Sequence, residues 1–224
     1  MAQNKKHRLP DNSQRLAVVG RTGSGKTVAG LWHLSQRDLD KKPWTIFDFK
    51  LDDHISLIER VREIDLGEVP KHPGLYVVRP HPSQQEEVNE HIWKIWGAQN
   101  HGIFADEGYM IPNPGRNNAF DAVLTQGRSL KVPVIVLSQR PVWMTRFAFS
   151  EADFFQIFQL NDHDDEKTVR RFIRQKLDTD TLPDYHSYYY DVGRRSLYNF
   201  APVPDEDTIL ETIDSKLKRQ RRTL

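Results

Sequence analysis

The stretch that decides the fold is "VVGRTGSGKTVAG", residues 18–30, which concentrates four glycines between two apolar segments. The apolar run before it predicts a buried strand, and the periodic segment "TVAGLWHLSQ" after it predicts a helix. Gly20, Gly25, Lys26 and Thr27 match the pattern G-x-x-x-x-G-K-[ST] of a phosphate-binding loop. An ordinary glycine turn is the alternative, and the flanking strand and helix disfavour it.

Each position of this loop has a chemical role. Glycines allow positive φ angles, so that successive backbone N–H groups point inward and form a nest for an anion. The following helix offers its free N–H groups to phosphate. Lys26 is expected to reach the β- and γ-phosphates, and the Thr27 hydroxyl is expected to bind Mg²⁺. The predicted nucleotide-binding residues are Gly20, Arg21, Thr22, Gly23, Ser24, Gly25, Lys26 and Thr27.

Composition narrows the class of protein without identifying partners. The chain has 224 residues, with 32 basic and 31 acidic side chains, so its net charge points to no particular partner. It contains no cysteine, which excludes disulfides and thiolate metal sites. No apolar run approaches the roughly 20 residues of a membrane-spanning helix, and the polar N-terminus lacks the apolar core of a signal peptide. We expect a soluble intracellular protein without direct membrane insertion.

Strand and helix patterns alternate along the chain. We expect a capping box at the start of the third helix, with Ser83 as N-cap and Glu86 three residues later. Residues 185–200 predict a hairpin with its turn near Gly193. The first strand is expected at 15–20, with further strands at 44–49, 75–80, 101–108, 132–139 and 153–160, and helices after the loop and at 54–64, 83–99, 117–131, 164–177 and 205–224.

This alternation predicts an α/β fold with a mostly parallel sheet covered by helices on both faces. No internal repeat or low-complexity block interrupts it. We expect a flexible polar lead at 1–14, one domain at 15–203, and a C-terminal helix with a basic tail at 204–224.

Polar residues at two other strand ends complete a candidate catalytic site, because ligands of open α/β sheets bind at the carboxyl ends of strands. "GIFADE" ends in Asp106, a candidate Mg²⁺ ligand, and Glu107, a candidate base for an attacking water. Gln139 ends the strand "VPVIVLSQ" and is placed to sense the γ-phosphate. The alternatives are a solvated acid pair and an exposed strand end.

Arg128, in "LTQGRSLK", has two interpretations of about equal weight. It could be a cation near a helix C-terminus, or it could enter a neighbouring subunit's site as an arginine finger. Arg140 and Arg146 are weaker candidates for the same role.

The quoted motifs, together with "TQGRSLKVPVIVLSQRP" and "EADFFQIFQLNDHDDEKTVRRF", resemble the FtsK–HerA superfamily of P-loop ATPases. The resemblance covers about residues 15–175 and is nearest to the short viral genome-packaging ATPases. It implies a RecA-like core in which the glutamine strand lies between the acid strand and the loop strand. On matching positions, Lys26, Glu107, Gln139 and Arg128 would be catalytic, and Thr27 and Asp106 would support Mg²⁺.

The same resemblance implies ATP hydrolysis, a ring that is usually hexameric, and translocation of double-stranded DNA. A viral capsid vertex or a membrane-protein dock would be the ring's partner, and the expected locations are the host cytoplasm and the virion. Motor loops should contact DNA phosphates rather than bases. Candidate DNA contacts are Arg116, Arg146, Lys218, Arg219, Arg221 and Arg222.

Other classes of function remain open at this point. A small-molecule or nucleoside kinase uses the same loop, although no arginine-rich lid is evident. A nucleotide switch and a conjugation- or export-type ATPase are further alternatives. Arg116, Arg146 and the tail cations could equally be solvated surface charges.

Overall fold

The computed structural model describes residues 7–113, 118–173 and 175–218. These residues form one nine-stranded sheet of order β3-β4-β2-β5-β6-β1-β7-β8-β9. Pairings among β1 to β7 are parallel, and β8 and β9 are added antiparallel at one edge. The strands are β1 Leu16–Val19, β2 Pro43–Asp48, β3 Arg62–Glu63, β4 Gly74–Val78, β5 Gly102–Asp106, β6 Val134–Ser138, β7 Phe154–Ile157, β8 Ser187–Asp191 and β9 Ser196–Phe200.

Helices cover both faces of the sheet, which confirms the predicted α/β class. Apolar residues of α3, α4, α5 and α6 pack on one face, and those of α1, α2 and α7 pack on the other. Within the described ranges, no helix is both long and apolar enough to cross a bilayer. The helices are α1 Lys26–Ser35, α2 Asp53–Ser56, α3 Gln85–Ala98, α4 Ala119–Gln126, α5 Phe147–Ser150, α6 His163–Arg170 and α7 Glu206–Lys218.

The centre of the sheet has the strand order implied by the resemblance. The acid strand β5 pairs with β6, and β6 pairs with the loop strand β1. All three strands are fully buried, and alternate residues of β1 contribute to opposite cores, since Ala17 packs with one and Val18 with the other. Because the strands are parallel, their carboxyl ends meet at one edge, where the site is built.

The helix predicted at 54–64 is wrong for most of its length. Only Asp53–Ser56 is helical, with the Asp52 side chain capping it through the His54 N–H, and Arg62–Glu63 instead forms the edge strand β3 beside β4. The backbone N–H of Ile64 also donates to Val77 O on β4. Pairing with an exposed sheet edge therefore overrides the local helical pattern, as tertiary context often does.

The predicted capping box at the start of α3 does not form. The helix begins at Gln85, its N-cap Gln84 makes no side-chain cap bond, and the Ser83 hydroxyl is 2.8 Å from His81 Nδ1. Two other predicted helices end early, since α4 ends at Gln126 and α6 ends at Arg170. The Arg170 guanidinium donates instead to Leu177 O, which ties the chain after α6 back onto the helix.

Both ends of the described chain contact the core. The Arg8 guanidinium lies 3.2 Å from Asp191 Oδ1, and Tyr189 Oη donates to Arg8 O at 2.9 Å. At the other end, buried Ile209 and Ile213 of α7 pack in the same core as α1. The division of the chain expected at 204 stays a prediction.

Candidate active site

The carboxyl edge of the central strands brings the predicted phosphate loop, acid pair and glutamine into one cavity of about 250 Å³. Side chains from β1–α1, β2, β5 and β6 line it, as expected for a ligand site of an open α/β sheet. Its lining comprises Thr22, Gly23, Gly25, Lys26, Thr27, Val28, Lys50, Asp52, His54, Asp106, Glu107 and Gln139.

The loop has the backbone shape that an anion nest requires. Gly23 and Gly25 have φ angles of 75° and 89°, in the left-handed region that glycine tolerates best, and α1 begins at Lys26. Neighbouring strands hold the loop in place, because Gly20 N donates to Ser138 O and Arg21 N donates to Gln159 O. The free N–H groups at the start of α1 therefore face the cavity that contains Lys26.

Glu107 is the most constrained side chain of the site. It is 1% exposed, and its φ of 61° is unusual for a residue other than glycine. Its Oε1 lies 2.6 Å from Lys50 Nζ and 3.5 Å from Lys26 Nζ, and its Oε2 accepts a 3.1 Å hydrogen bond from Gln139 N. Two cations and a backbone donor thus balance its buried charge.

Asp106 is buried beside it and lacks such partners. Burial, with a smaller contribution from the Glu107 charge, raises the pKa of Asp106 to about 7. Its Oδ1 has no hydrogen-bond partner among the described residues. A buried carboxylate oxygen of this kind suits a hard cation, so Asp106 and the Thr27 hydroxyl would hold Mg²⁺ in this cavity.

Gln139 connects the end of β6 to the phosphate loop. Its Oε1 accepts a 2.5 Å hydrogen bond from Thr22 Oγ1, and its Nε2 lies 3.5 Å from Tyr109 Oη. Its backbone N–H holds Glu107. The residue therefore contacts both the loop and the candidate base, which is the position that a γ-phosphate sensor needs.

Sequence reasoning missed Lys50 and Tyr109 as site residues. Lys50 follows β2 and carries the shortest ion pair to Glu107, and Tyr109 follows the acid pair. The only sequence signal for Lys50 was its position just beyond the apolar run "WTIFDF". A lysine at a strand end is as close to the site as an acid or an amide there, because all three follow the carboxyl ends of parallel strands.

The three candidate arginine fingers lie outside the cavity. Arg128 is exposed in the turn after α4, near the amino ends of β5 and β6 and therefore away from its own phosphate loop. Arg140 is engaged by α6, with its Nε 3.2 Å from Asp165 Oδ2 and its guanidinium 4.7 Å from the Trp143 ring centroid. Arg146 is exposed at the start of α5.

Most of the proposed DNA contacts lie outside the described residues. This applies to Arg116, Arg219, Arg221 and Arg222. Lys218 is the last residue of α7, and the structure describes its backbone only.

Comparison with known proteins gives a close relative and several structural neighbours. No family model matches the chain. The chain is 47% identical over 224 residues to the DNA packaging ATPase P9 of Enterobacteria phage PRD1, an alignment that covers 96% of this chain and 98% of P9.

Solved structures share its fold at low sequence identity. The genome packaging NTPase B204 of Sulfolobus turreted icosahedral virus 2, in complex with AMPPCP, has a TM-score of 0.68 at 17% identity and covers 87% of this chain and 100% of B204. The pCW3 conjugation coupling protein TcpA, with ATPgS, has a TM-score of 0.60 at 14% identity, over 93% of this chain and 65% of TcpA.

These likenesses agree with the motifs that suggested an FtsK–HerA type of P-loop ATPase. The structural neighbours support the fold, and the relative of 47% identity supports the family, because the alignment spans almost the whole of both chains. The protein therefore belongs to the family of DNA packaging ATPases that includes P9 of phage PRD1.

Proposed function

We propose that this ATPase hydrolyses Mg²⁺-bound ATP and uses the reaction to move double-stranded DNA into a preformed viral capsid. The observation that carries the proposal is the convergence of Lys26, Glu107 and Gln139 on one cavity beside the phosphate loop. Phosphoryl transfer to water needs a phosphate cradle, a metal holder and a group that positions the water. Each of these has a candidate in the cavity.

In this proposal, the backbone N–H groups of residues 20–27 and Lys26 bind the phosphates. Thr27 and Asp106 would hold Mg²⁺, which would supply neutralisation of phosphate charge. Glu107 orients the attacking water and accepts its proton. In the structure, Glu107 is paired with Lys50 and Lys26. In the proposed reaction, both lysines turn to the phosphates, and the freed Glu107 carboxylate binds the water.

Gln139 would report the γ-phosphate to the segment that follows it. Arg140 Nη2 lies 3.1 Å from Asp162 Oδ2, and Val142 N donates to Asp165 Oδ1 at 2.8 Å, so residues 140–142 are tied to the start of α6. A displacement of Gln139 would therefore be carried into this segment and α6. Such a two-state element is what a motor needs to convert loss of phosphate into movement.

DNA contacts are proposed for exposed cations beyond that segment. Arg146 is exposed at the start of α5, on the chain that continues from Gln139. The other proposed contacts to DNA phosphates are Arg116, Lys218, Arg219, Arg221 and Arg222. Phosphate contacts would make DNA binding steeply dependent on salt and independent of sequence.

The proposed assembly is a ring, expected to be a hexamer, with Arg128 of each subunit entering the site of the next. Its exposure and its distance from its own loop are compatible with a role in a neighbour's site. The ring would dock at a capsid vertex or on a membrane protein there. It would therefore work in the host cytoplasm and at the virion.

The test is the steady-state ATPase rate of the full chain, with and without double-stranded DNA. We expect turnover that requires Mg²⁺, rises several-fold with DNA and is abolished in Lys26→Ala, because this is the only lysine of the loop. Turnover that is unaffected by DNA, or phosphate transferred to a small acceptor rather than to water, would contradict the motor and favour a kinase. Turnover retained by Lys26→Ala would contradict the site.

A further inference from the structure

A second cavity, of about 200 Å³, lies beside the phosphate loop and has a different chemical character. The loop contributes Arg21, Gly23 and Ser24, and the chain after β7 contributes Phe158 and Gln159. Residues 183–186, which precede β8, close the remaining side. The cavity shares Gly23 with the cavity that contains Lys26, so the two adjoin the same loop.

Tyr185 is held against the loop in an unusual conformation. Its φ is 61° and it is 60% exposed, although large aromatic residues rarely adopt positive φ and are usually buried. A Cβ placed on Gly25 would lie only 3.0 Å from Tyr185 Cδ1, so the ring contacts the loop itself. Backbone strain of this kind, beside a ligand loop, is typical of functional positions.

The surroundings of Tyr185 are fixed by hydrogen bonds. His186 N donates to Pro183 O at 3.0 Å, which closes a turn around Tyr185. Gln159 Oε1 accepts from the Arg21 guanidinium at 2.9 Å, and Gln159 Nε2 donates to Leu182 O at 2.6 Å. The loop and the Tyr185 turn are therefore joined through one side chain.

Ser24 supplies an unused polar group at this cavity. The residue is 6% exposed, and its Oγ has no hydrogen-bond partner among the described residues. A buried hydroxyl without a partner costs free energy unless a ligand or water pairs with it. The cavity thus combines the aromatic rings of Phe158 and Tyr185 with one buried hydroxyl. Its other polar lining side chains are Arg21, Gln159, Asp184 and His186.

The strand order indicates on which side of the loop the phosphates and the nucleoside of a bound nucleotide would lie. The acid pair follows β5, on the β6 side of the loop strand β1, so the terminal phosphate of the proposed site would lie on that side. A nucleoside that extends away from the acid pair would lie on the other side of β1, where β7 and β8 are. The cavity lined by Phe158 and Tyr185 is on that side.

We propose that this cavity is the nucleobase subsite, in which the Tyr185 ring stacks on the purine and the Ser24 hydroxyl pairs with the nucleoside. The inference rests on the proposed function, since it extends the same nucleotide site. An aromatic ring stacks on any planar base and adds affinity for the nucleoside without contacting the phosphates. The subsite therefore contributes to binding of nucleotides but not to binding of inorganic polyphosphate.

The test compares ADP with inorganic tripolyphosphate, both with Mg²⁺, by calorimetric titration of the full chain. We expect Tyr185→Ala to weaken ADP binding about tenfold or more and to change tripolyphosphate binding by less than about twofold. Tyr185→Phe keeps the aromatic ring and should retain most of the wild-type ADP affinity. Retained tripolyphosphate binding also shows that the variant is folded. Trp143→Ala, which removes another aromatic side chain of 60% exposure, is the matched control and should change neither affinity.

Ser24→Ala provides a second, independent variant and should weaken ADP more than tripolyphosphate. Unchanged ADP binding in Tyr185→Ala, or equal weakening of both ligands, overturns the subsite while the phosphate site stands. A wild-type chain that binds neither ligand, or a Lys26→Ala variant that binds both normally, overturns the proposed function and the subsite with it.

Discussion

Glu107 contacts three other groups of the candidate site from one buried side chain. Its φ of 61° directs a buried carboxylate into the cavity at the point where β5 ends, and conformations of this kind persist only when the surroundings impose them. Two contacts hold Glu107 in this conformation: Lys50 Nζ lies 2.6 Å from its Oε1, and Gln139 N donates to its Oε2 at 3.1 Å. Both Glu107 oxygens already have partners in the protein, so the proposed positioning of a water would require one of these contacts to be exchanged.

Glu107→Gln should separate binding from hydrolysis. The amide keeps the shape of the side chain but cannot accept the proton of the water, so hydrolysis should fall at least ~100-fold while Mg²⁺-ATP affinity changes by less than about fivefold. Single-turnover hydrolysis and equilibrium titration measure the two quantities. Glu87→Gln, at an exposed position on α3, is the control. A variant that hydrolyses ATP at the wild-type rate would show that another group positions the water.

Lys50→Ala should weaken triphosphate binding more than diphosphate binding. Lys50 lies on the acid side of the cavity, where the terminal phosphate is expected, and it pairs there with Glu107. We expect an affinity loss of about tenfold for a non-hydrolysable ATP analogue and less than about twofold for ADP, measured by competitive titration. Lys41→Ala, which removes an exposed lysine paired with Asp38, should have no effect. Equal losses for the two nucleotides would argue against this role.

Among the elements, α7 is a helix where the sequence predicts one, and its contacts connect it to the phosphate loop. Its sequence is amphipathic and leads into a basic tail. This pattern suggests a helix added after the main domain. In the fold, Ile209, Ile213 and Leu217 are buried with α1, and Lys216 Nζ donates to Arg37 O at 2.7 Å. The helix therefore supports α1, whose first residue is Lys26 of the phosphate loop.

Ile213→Ala should lower the free energy of unfolding by about 2–4 kcal/mol, because it leaves a cavity in the core shared by α7 and α1. Urea unfolding followed by circular dichroism measures the change, and a single transition is expected. Glu211→Ala, on the exposed side of the same helix, controls for helix propensity. An Ile213→Ala chain of wild-type stability would mean that α7 is a separate tail after all.

Across the whole molecule, three histidines are buried in the neutral form. Burial lowers the pKa of His33 and of His101 to about 3, and that of His91 to about 4. His33 Nε2 lies 2.7 Å from Gln156 Oε1, which fits a neutral ring donating from Nε2. Unfolding would expose these rings to protonation at their ordinary pKa of 6.5.

Acid should therefore destabilise the protein. The stability due to each neutral histidine is fully present above pH 6.5 and is lost progressively as the pH falls towards the lowered folded pKa. Between pH 6 and 4, His33→Gln should remove about 1 kcal/mol per pH unit from the slope of unfolding free energy against pH, because the unfolded ring binds most of one proton that the folded ring does not. Urea unfolding over a pH series measures it, and exposed His72→Gln should leave the slope unchanged. Identical slopes for wild type and His33→Gln would refute this account.

Assembly is the other property of the whole molecule, and Arg128 tests it. If Arg128 acts in a neighbour's site, Arg128→Ala and Lys26→Ala subunits are each inactive alone but complement each other when mixed. One subunit then contributes an intact phosphate loop and the other an intact arginine. ATPase rates of mixed assemblies, verified by differently tagged subunits, should exceed those of either variant. Mixed rings without recovery would count against the finger.

The sequence was sufficient for the parts of this protein that depend on neighbouring residues. The phosphate loop lies within residues 20–27, and its function depends on glycine conformations and on the helix that follows immediately. The apolar runs of β5 and β6 predicted where Asp106 and Gln139 would meet, because parallel strands bring their carboxyl ends to one edge.

Only the tertiary structure revealed the pairing of Lys50 with Glu107, the placement of Tyr185 against Gly25, and the docking of Arg8 on Asp191. It also showed that the chain around Arg62 joins the sheet edge rather than continuing a helix. These contacts join side chains far apart along the chain, so no local spacing predicts them. They are decided by which strand lies beside which, and that order depends on pairings between segments far apart in the sequence.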